Sequence, residues 1–317
     1  MNLERCWWKR WKRNGMTENY RAGFVSVVGR PNVGKSTLTN ALVGHKVAIT
    51  SMRPETTRHN IRGIVTTDQG QLILVDTPGY HRPRTLLGKR LNDMVREALA
   101  DVDAVAFCLP ADQKVGPGDQ FIARELRGLR APVVAVVTKT DTVTKDQLLQ
   151  HLLNVESLAD FAAIVPVSAA KADNLDELVS VLIGLMPQSP QLYPTGDVTE
   201  EDDEVLIAEF VREAALEGVR DELPHSIAVQ VEEIIEREQQ PGAKKPPLLD
   251  VHVNIYVERE SQKAIIIGRK GARLKDVGTR ARKHIEELLG RRVFLSLHVR
   301  VAKDWQSDPK MLRRLGF

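Results

Sequence analysis

Lys35 and Ser36 close the run Gly29-Arg30-Pro31-Asn32-Val33-Gly34-Lys35-Ser36, which follows an apolar stretch, Phe24 to Val28, and opens into a helix-forming segment, Thr37 to Val43. A strand, this glycine spacing, the Lys-Ser pair and then a helix make a phosphate-binding P-loop. Backbone N–H groups of such a loop converge on an anion, the helix presents the positive end of its dipole, and glycine lets the backbone come close to phosphate. Lys35 is placed to bridge β- and γ-phosphates, and the Ser36 hydroxyl to serve Mg²⁺. This motif specifies a nucleoside triphosphate without naming its base.

Three later tetrapeptides supply the remaining chemistry. Asp76-Thr77-Pro78-Gly79 closes the apolar strand Leu72 to Val75. It brings a carboxylate to the metal position and a glycine N–H to the place where a γ-phosphate is sensed. Thr138-Lys139-Thr140-Asp141 follows the apolar run Val133 to Val137. A carboxylate there accepts two hydrogen bonds from a base with an N1–H and an exocyclic amine, which guanine offers and adenine does not. Ser168-Ala169-Ala170-Lys171, after Ile164 to Val167, can complete the base pocket with a backbone N–H. Each tetrapeptide is weak by itself, and four in order are strong.

These segments need a framework that delivers them to one edge. From Phe24 to about Met186, apolar β-rich runs (Phe24 to Val28, Gln71 to Val75, Ala104 to Leu109, Val133 to Thr138, Ile164 to Val167) alternate with helical stretches such as Leu91 to Ala100, Gly118 to Leu126 and Leu175 to Leu185. That alternation predicts an α/β domain with a mostly parallel sheet, helices on both faces, and ligands at the carboxyl ends of the strands.

The series of motifs resembles the translation-factor-related P-loop GTPases, and among them the bacterial small-ribosomal-subunit assembly GTPases that carry a C-terminal KH domain. The resemblance covers nearly all of the chain from Tyr20 onward. It implies GTP and GDP as ligands, Mg²⁺ as cofactor, and nucleotide contacts from Gly29 through Thr37, at Asp76 to Gly79, at Thr138, Lys139 and Asp141, and at Ser168, Ala169 and Ala170. Thr56-Thr57-Arg58 then forms the first switch, with Thr57 favoured over Thr56 as ligand of Mg²⁺ and γ-phosphate. The expected metal ligands are Ser36, Thr57 and Asp76, and the expected catalytic set is Lys35, Thr57, Gly79 and Asn32.

Two residues depart from the commonest pattern of such GTPases. Thr138 replaces an asparagine of the guanine motif; its hydroxyl can still bond the P-loop backbone, while one amide bond to the base is lost and Asp141 keeps the specificity. Tyr80 stands where a water-orienting glutamine is found in Ras-like enzymes, and it cannot do that work in the same way. Asn32 suggests a substitute, because similar GTPases with asparagine there use bound K⁺ in place of an arginine finger.

The C-terminal part has its own signature. Val251, Val253, Ile255 and Val257 alternate with His252, Asn254 and Tyr256, and Val293 to Val301 alternate likewise. Between them lie the apolar run Ala264 to Ile267, the loop Gly268-Arg269-Lys270-Gly271, and a basic helix from Ala272 to Leu289 with the stripe Leu274, Val277, Ala281, Ile285 and Leu288. This order resembles a type II (bacterial) KH domain, an α+β fold that binds single-stranded RNA. Small glycines let a nucleic-acid backbone slide against the loop, Ile265 and Ile267 can lie beneath unstacked bases, and Arg269 and Lys270 add charge. With Gly268, Gly271, Arg273 and Lys275 these make the expected RNA contacts. By resemblance the RNA is the 3′ end of small-subunit (16S) rRNA, the role is assistance to 30S subunit assembly, and GTP favours RNA binding. Trp305 is expected to anchor packing.

Charge supports a polyanion partner: the net charge is +3 over 317 residues, but the segment from Lys244 to the C-terminus carries about +10. A 42% hydrophobic and 27% charged composition suits an ordinary soluble chain. Cys6 and Cys108 lie far apart and suggest neither a disulfide framework nor a metal site, and no stretch has the length and apolarity of a membrane span. These features point to a reducing cytoplasm, and the chain is expected to be monomeric. His45, His59 and His81 are read as loop side chains.

The expected boundaries are a basic, Trp-rich extension without packed structure over 1–19, a GTPase domain over 20–187, a proline-bearing acidic linker over 188–204, and a KH domain with a C-terminal tail over 205–317. Trp7, Trp8 and Trp11 among basic residues also suit an anionic membrane surface, so peripheral membrane association stays open, as does a start at Met16. A GTPase of tRNA modification or large-subunit maturation is a second reading, against which the KH signature argues. A constitutive RNA-binding protein with a structural nucleotide is a third.

Overall fold

The computed structural model describes residues 19–50, 57–80, 85–219, 223–237 and 247–316. Its contacts divide the chain into two compact units, one of Met1–Val47, Asn60–His81 and Asp93–Glu200, the other of Ala48–His59, Arg82–Asn92 and Glu201–Phe317.

The first unit is built on a six-stranded sheet of β1 (Arg21–Val28), β2 (Ile61–Thr66), β3 (Gly70–Asp76), β4 (Ala104–Pro110), β5 (Val133–Thr138) and β6 (Ala163–Pro166), in the order β2-β3-β1-β4-β5-β6. All neighbours are parallel except β2 and β3, joined by a turn too short for a crossover and closed by Thr67 N–H to the Gly70 carbonyl at 2.9 Å. Every residue of β3 and β4 is buried, as parallel strands covered on both faces require.

Alternate residues feed two cores. Val25, Val27, Ala106 and Val136 pack with α1 (Lys35–Val43) and α5 (Leu175–Leu185). Val28, Phe107, Leu109 and Val137 pack with the C-terminal half of α2 (Leu86–Ala100), with α3 (Pro117–Leu126) and with α4 (Lys145–Glu156). Cys108 is buried and its thiol is pushed up to about 12 by that burial, which makes it an inert packing residue.

The proline-bearing stretch after α5 bonds to this sheet over much of its length. The Leu192 and Tyr193 N–H groups both donate to Gln71 Oε1 at 2.9 Å, and Ile64 N–H donates to the Val198 carbonyl at 2.9 Å.

In the second unit β7 (Ala228–Glu236), β8 (Leu249–Val257) and β9 (Val293–Val301) form a sheet, β7 antiparallel and β9 parallel to β8. The strict alternation of β8 sends Val251, Val253, Ile255 and Val257 into one core with α6 (Asp203–Leu216), α8 (Glu260–Ile267) and α9 (Ala272–Leu289). A short helix α7 (Leu223–Ser226) precedes β7, and α10 (Pro309–Arg314) closes the chain. Trp305 is fully buried and donates from Nε1 to the Ser226 carbonyl at 2.9 Å, so it is the packing anchor its sequence context suggests.

Candidate functional site

The phosphate loop leaves β1 at Gly29, passes through Asn32 with a left-handed backbone, and enters α1 at Lys35. Lys35 is nearly buried and donates from Nζ to the carbonyls of Gly29 at 3.3 Å and Arg30 at 3.1 Å. Burial lowers its pKa, and the charge of Asp76 opposes that shift. An anion entering the loop restores the charge balance that burial disturbs. Ser36 is partly buried at the first turn of α1, while Asn32 and Thr37 are exposed.

Asp76 ends β3 fully buried. The residues after it are pinned to the loop: Thr77 Oγ1 donates to the Val27 carbonyl at 2.8 Å and Tyr80 N–H to the Gly29 carbonyl at 3.2 Å. Between them Gly79 lies against Pro31, where an added Cβ would stand 2.8 Å from Pro31 Cγ and 3.0 Å from its backbone N and Cα. Only glycine fits that approach. The Tyr80 ring stacks on Phe121 with centroids 5.5 Å apart, and its hydroxyl bonds Glu125 Oε2 at 3.2 Å. Burial and that carboxylate raise the phenol pKa. Tyr80 is thus committed to α3.

The two segments expected to read the base meet at the ends of β5 and β6. Thr138 Oγ1 donates to the Val33 carbonyl at 2.6 Å, tying the guanine motif to the phosphate loop. Lys139 takes a left-handed backbone and pairs with Asp112 at 3.1 Å. Asp141 accepts the Ser168 hydroxyl at 2.6 Å, and Ser168 Oγ accepts the Lys171 N–H at 3.1 Å, which orients the carboxylate and shapes the turn through Ala169 and Ala170. Sequence reasoning had both segments but not the Asp141–Ser168 bond.

In the first unit, the Ser36 hydroxyl and the Asp76 carboxylate are hard oxygen donors of the kind Mg²⁺ takes. Among the described residues there is no group of three or more His, Cys, Asp and Glu that could hold a metal ion. Thr57 is buried and grouped by its contacts with the second unit. There its neighbour Arg58 donates to the Ile227 carbonyl at 2.6 Å and lies over the Trp305 ring at 5.7 Å. Thr56, His81 and residues 1–18 lie outside the described residues. His45 is exposed, and His59 is partly buried in the second unit, where burial lowers its pKa.

In the second unit the apolar run Ala264 to Ile267 is the end of α8. Ile266 enters the core, Ile265 is half exposed and Ile267 partly buried. Gly268 has φ 71°, and a Cβ there would stand 2.6 Å from Arg273 Cβ. The turn Arg269–Gly271 then presents Arg269 and Lys270 outward, and Gly271 caps α9. Lys275 is exposed. Arg273 is engaged elsewhere: Nη2 donates to the carbonyls of Ala215 at 3.2 Å and Glu217 at 2.6 Å, capping the C-terminus of α6. Among the described residues no helix is long and apolar enough to cross a membrane.

Comparison with known proteins agrees with this geometry. Residues 24–139 match the family described as 50S ribosome-binding GTPase, and residues 222–306 match the KH domain family. GTPase Era of Streptomyces coelicolor is 62% identical over 304 residues, covering 94% of this chain and 95% of that protein. GTPase Era of a Nocardioides species is 60% identical, covering 96% of this chain and 98% of its own. Among solved structures, Era in complex with MgGDPNP and nucleotides 1506–1542 of 16S ribosomal RNA superposes with a TM-score of 0.88 at 38% identity, covering 94% of this chain and 99% of that one. A variant of Aquifex aeolicus Era bound to GDP·AlF₄⁻ gives 0.87 at 38% identity, covering 93% and 99%. With its P-loop, guanine motif and KH fold, the chain belongs to the GTPase Era family of GTP-hydrolysing proteins.

Proposed function

We propose that the chain is a GTP-driven switch that reads the single-stranded 3′ end of 16S rRNA through its KH domain and assists assembly of the 30S subunit, acting as a cytoplasmic monomer. The observation that carries this reading is the Asp141–Ser168 bond at 2.6 Å on the same sheet that holds Lys35, together with the outward Arg269-Lys270 turn on the KH fold. The solved Era complex with 16S rRNA nucleotides supports the choice of RNA. The GTPase domain is taken as 20–187 and the KH domain as 205–317.

Lys35 holds the β- and γ-phosphates, the Gly79 N–H meets the γ-phosphate, and Asp141 reads guanine. Ser36, Thr57 and Asp76 are the residues that would hold Mg²⁺, which when bound would supply positive charge against the triphosphate. Because Tyr80 is committed to α3, water is not oriented by a side chain at that position. Asn32 supports K⁺ as the compensating cation, and equal turnover in K⁺ and Na⁺ buffers would remove it from the mechanism. Ordering of Thr57 and of Asp76 to Tyr80 by the γ-phosphate is the step that links nucleotide to RNA.

The deciding experiment is steady-state GTP hydrolysis in K⁺ with the full chain, Lys35→Ala and Gly268→Asp, with and without a 16S 3′-end oligonucleotide. Activity lost in Lys35→Ala and RNA stimulation lost in Gly268→Asp are expected. Phosphate release that ignores the oligonucleotide would move the coupling to another partner. Association of residues 1–15 with membranes is tested by liposome co-sedimentation of chains starting at Met1 and Met16.

A further inference from the structure

Arg30, the second residue of the phosphate loop, donates from Nε to Asp119 Oδ1 at 2.7 Å and from Nη2 to Gln113 Oε1 at 3.2 Å. Asp119 is 1% exposed and sits in the first turn of α3, where its other oxygen accepts the Gly116 N–H at 2.9 Å. One carboxylate therefore caps α3 and grips the loop. The Arg30 stem crosses Gly118 so closely that a Cβ there would stand 2.6 Å from Arg30 Cδ. The P-loop motif leaves the side chain at this position open, so the nucleotide contact expected of Arg30 falls to its backbone while its side chain turns to Asp119 and Gln113.

The same helix also holds the segment after Asp76, through Phe121 and Glu125 against Tyr80. Between these two attachments the loop and that segment touch, at Pro31 and Gly79. The remaining half of the loop has further supports, the Thr138 bond to Val33 and α1. Each half of the loop thus has an attachment of its own, Lys35 bridging them through the Gly29 and Arg30 carbonyls, and it is Pro31 that lies against Gly79.

We infer that Asp119 is a positioning residue for GTP hydrolysis: through Arg30 it sets the stretch Arg30 to Asn32 against Gly79, at the γ-phosphate end of the site. The inference rests on the placement of Asn32 and Gly79 proposed above. Loosening this clamp misplaces groups that act on the γ-phosphate and leaves the β-phosphate and guanine contacts in place. Displacements of about an ångström at such groups cost up to about a hundredfold in rate.

The test measures kcat, and equilibrium affinity for GDP and a non-hydrolysable GTP analogue, in the full chain carrying Arg30→Gln, Asp119→Asn, both, or Arg30→Lys. Asparagine keeps the volume and a cap oxygen while removing the charge. Each single change is expected to lower kcat about tenfold or more, with GDP affinity within about threefold and the analogue-to-GDP affinity ratio reduced. The double variant should be no slower than either single one, and Arg30→Lys should recover part of the rate. Unchanged kcat, independent multiplying losses, or parallel loss of both affinities with a lowered melting temperature would overturn the role. Lys35→Ala run alongside separates the outcomes: wild-type hydrolysis in it overturns the nucleotide-site reading and the clamp with it, whereas its loss leaves any failure to the clamp alone.

Discussion

Valine at position 138 would keep the branched shape of Thr138 and delete only the hydroxyl that bonds the Val33 carbonyl at 2.6 Å. Thr138 is 4% exposed and Val33 is 0% exposed, so water does not replace the lost donor. A buried acceptor left unsatisfied costs about 1–3 kcal/mol. If all of it falls on the nucleotide-bound state, affinity drops about 5- to 150-fold. The bond supports loop backbone rather than the γ-phosphate, so GDP and GTP should weaken together while kcat stays within about twofold. Asparagine at 138 offers one amide N–H to Val33 and a second to the base, and should bind at least as tightly as threonine. Fluorescent-GDP titration with competition by GDP and a GTP analogue reads all of this. Wild-type affinity in Thr138→Val, or a loss confined to the triphosphate, would refute the reasoning.

Tyr80→Phe removes a partly exposed bond to Glu125 at 3.2 Å and should cost about 1 kcal/mol or less of stability, with single-turnover hydrolysis changed less than about twofold. A tenfold loss of rate there would show that the phenol takes part in catalysis. Gly268→Ala places a Cβ 2.6 Å from Arg273 Cβ at φ 71°, a strain of about 1–3 kcal/mol. Oligonucleotide affinity by anisotropy should fall while RNA-free hydrolysis holds. His151 is buried, and burial lowers its pKa from 6.5 despite Asp119 and Asp112. Below about pH 6.5 the unfolded chain takes up a proton that the folded one refuses, so this residue makes stability fall as pH falls. The urea midpoint of the first unit should therefore drop less between pH 7.5 and 5.5 in His151→Gln than in wild type.

Much of the architecture is legible locally. Five apolar runs between Phe24 and Val167 became five strands of the six-stranded sheet, and the stripe Val277, Ala281 and Ile285 is the buried face of α9. The residues that a P-loop places by spacing are fixed by backbone geometry within eight positions, which is why the motif reads directly. Helix α4 escaped periodicity yet carried a signal: it opens with Thr144 and Gln147 bonding each other's backbone N–H, a capping box visible in the sequence. The helical state of Ala264 to Ile267 was less legible, because a four-residue apolar run suits strand and helix alike and the Gln262 that bonds the Arg259 N–H follows no Ser or Thr cap.

The sequence by itself therefore determined the chemistry proposed for the nucleotide site, since the phosphate loop and the carboxylates of Asp76 and Asp141 are each encoded in contiguous residues at strand ends. Tertiary structure alone decided which side chains serve that chemistry from a distance. Asp119 reaches Arg30 across 89 positions, Ser168 reaches Asp141 across 27, and Arg273 turns to cap α6, 58 positions away. Tyr80, read as an absent glutamine, became a ring held on α3. Such pairings depend on which helix the sheet brings alongside, and no local propensity records that.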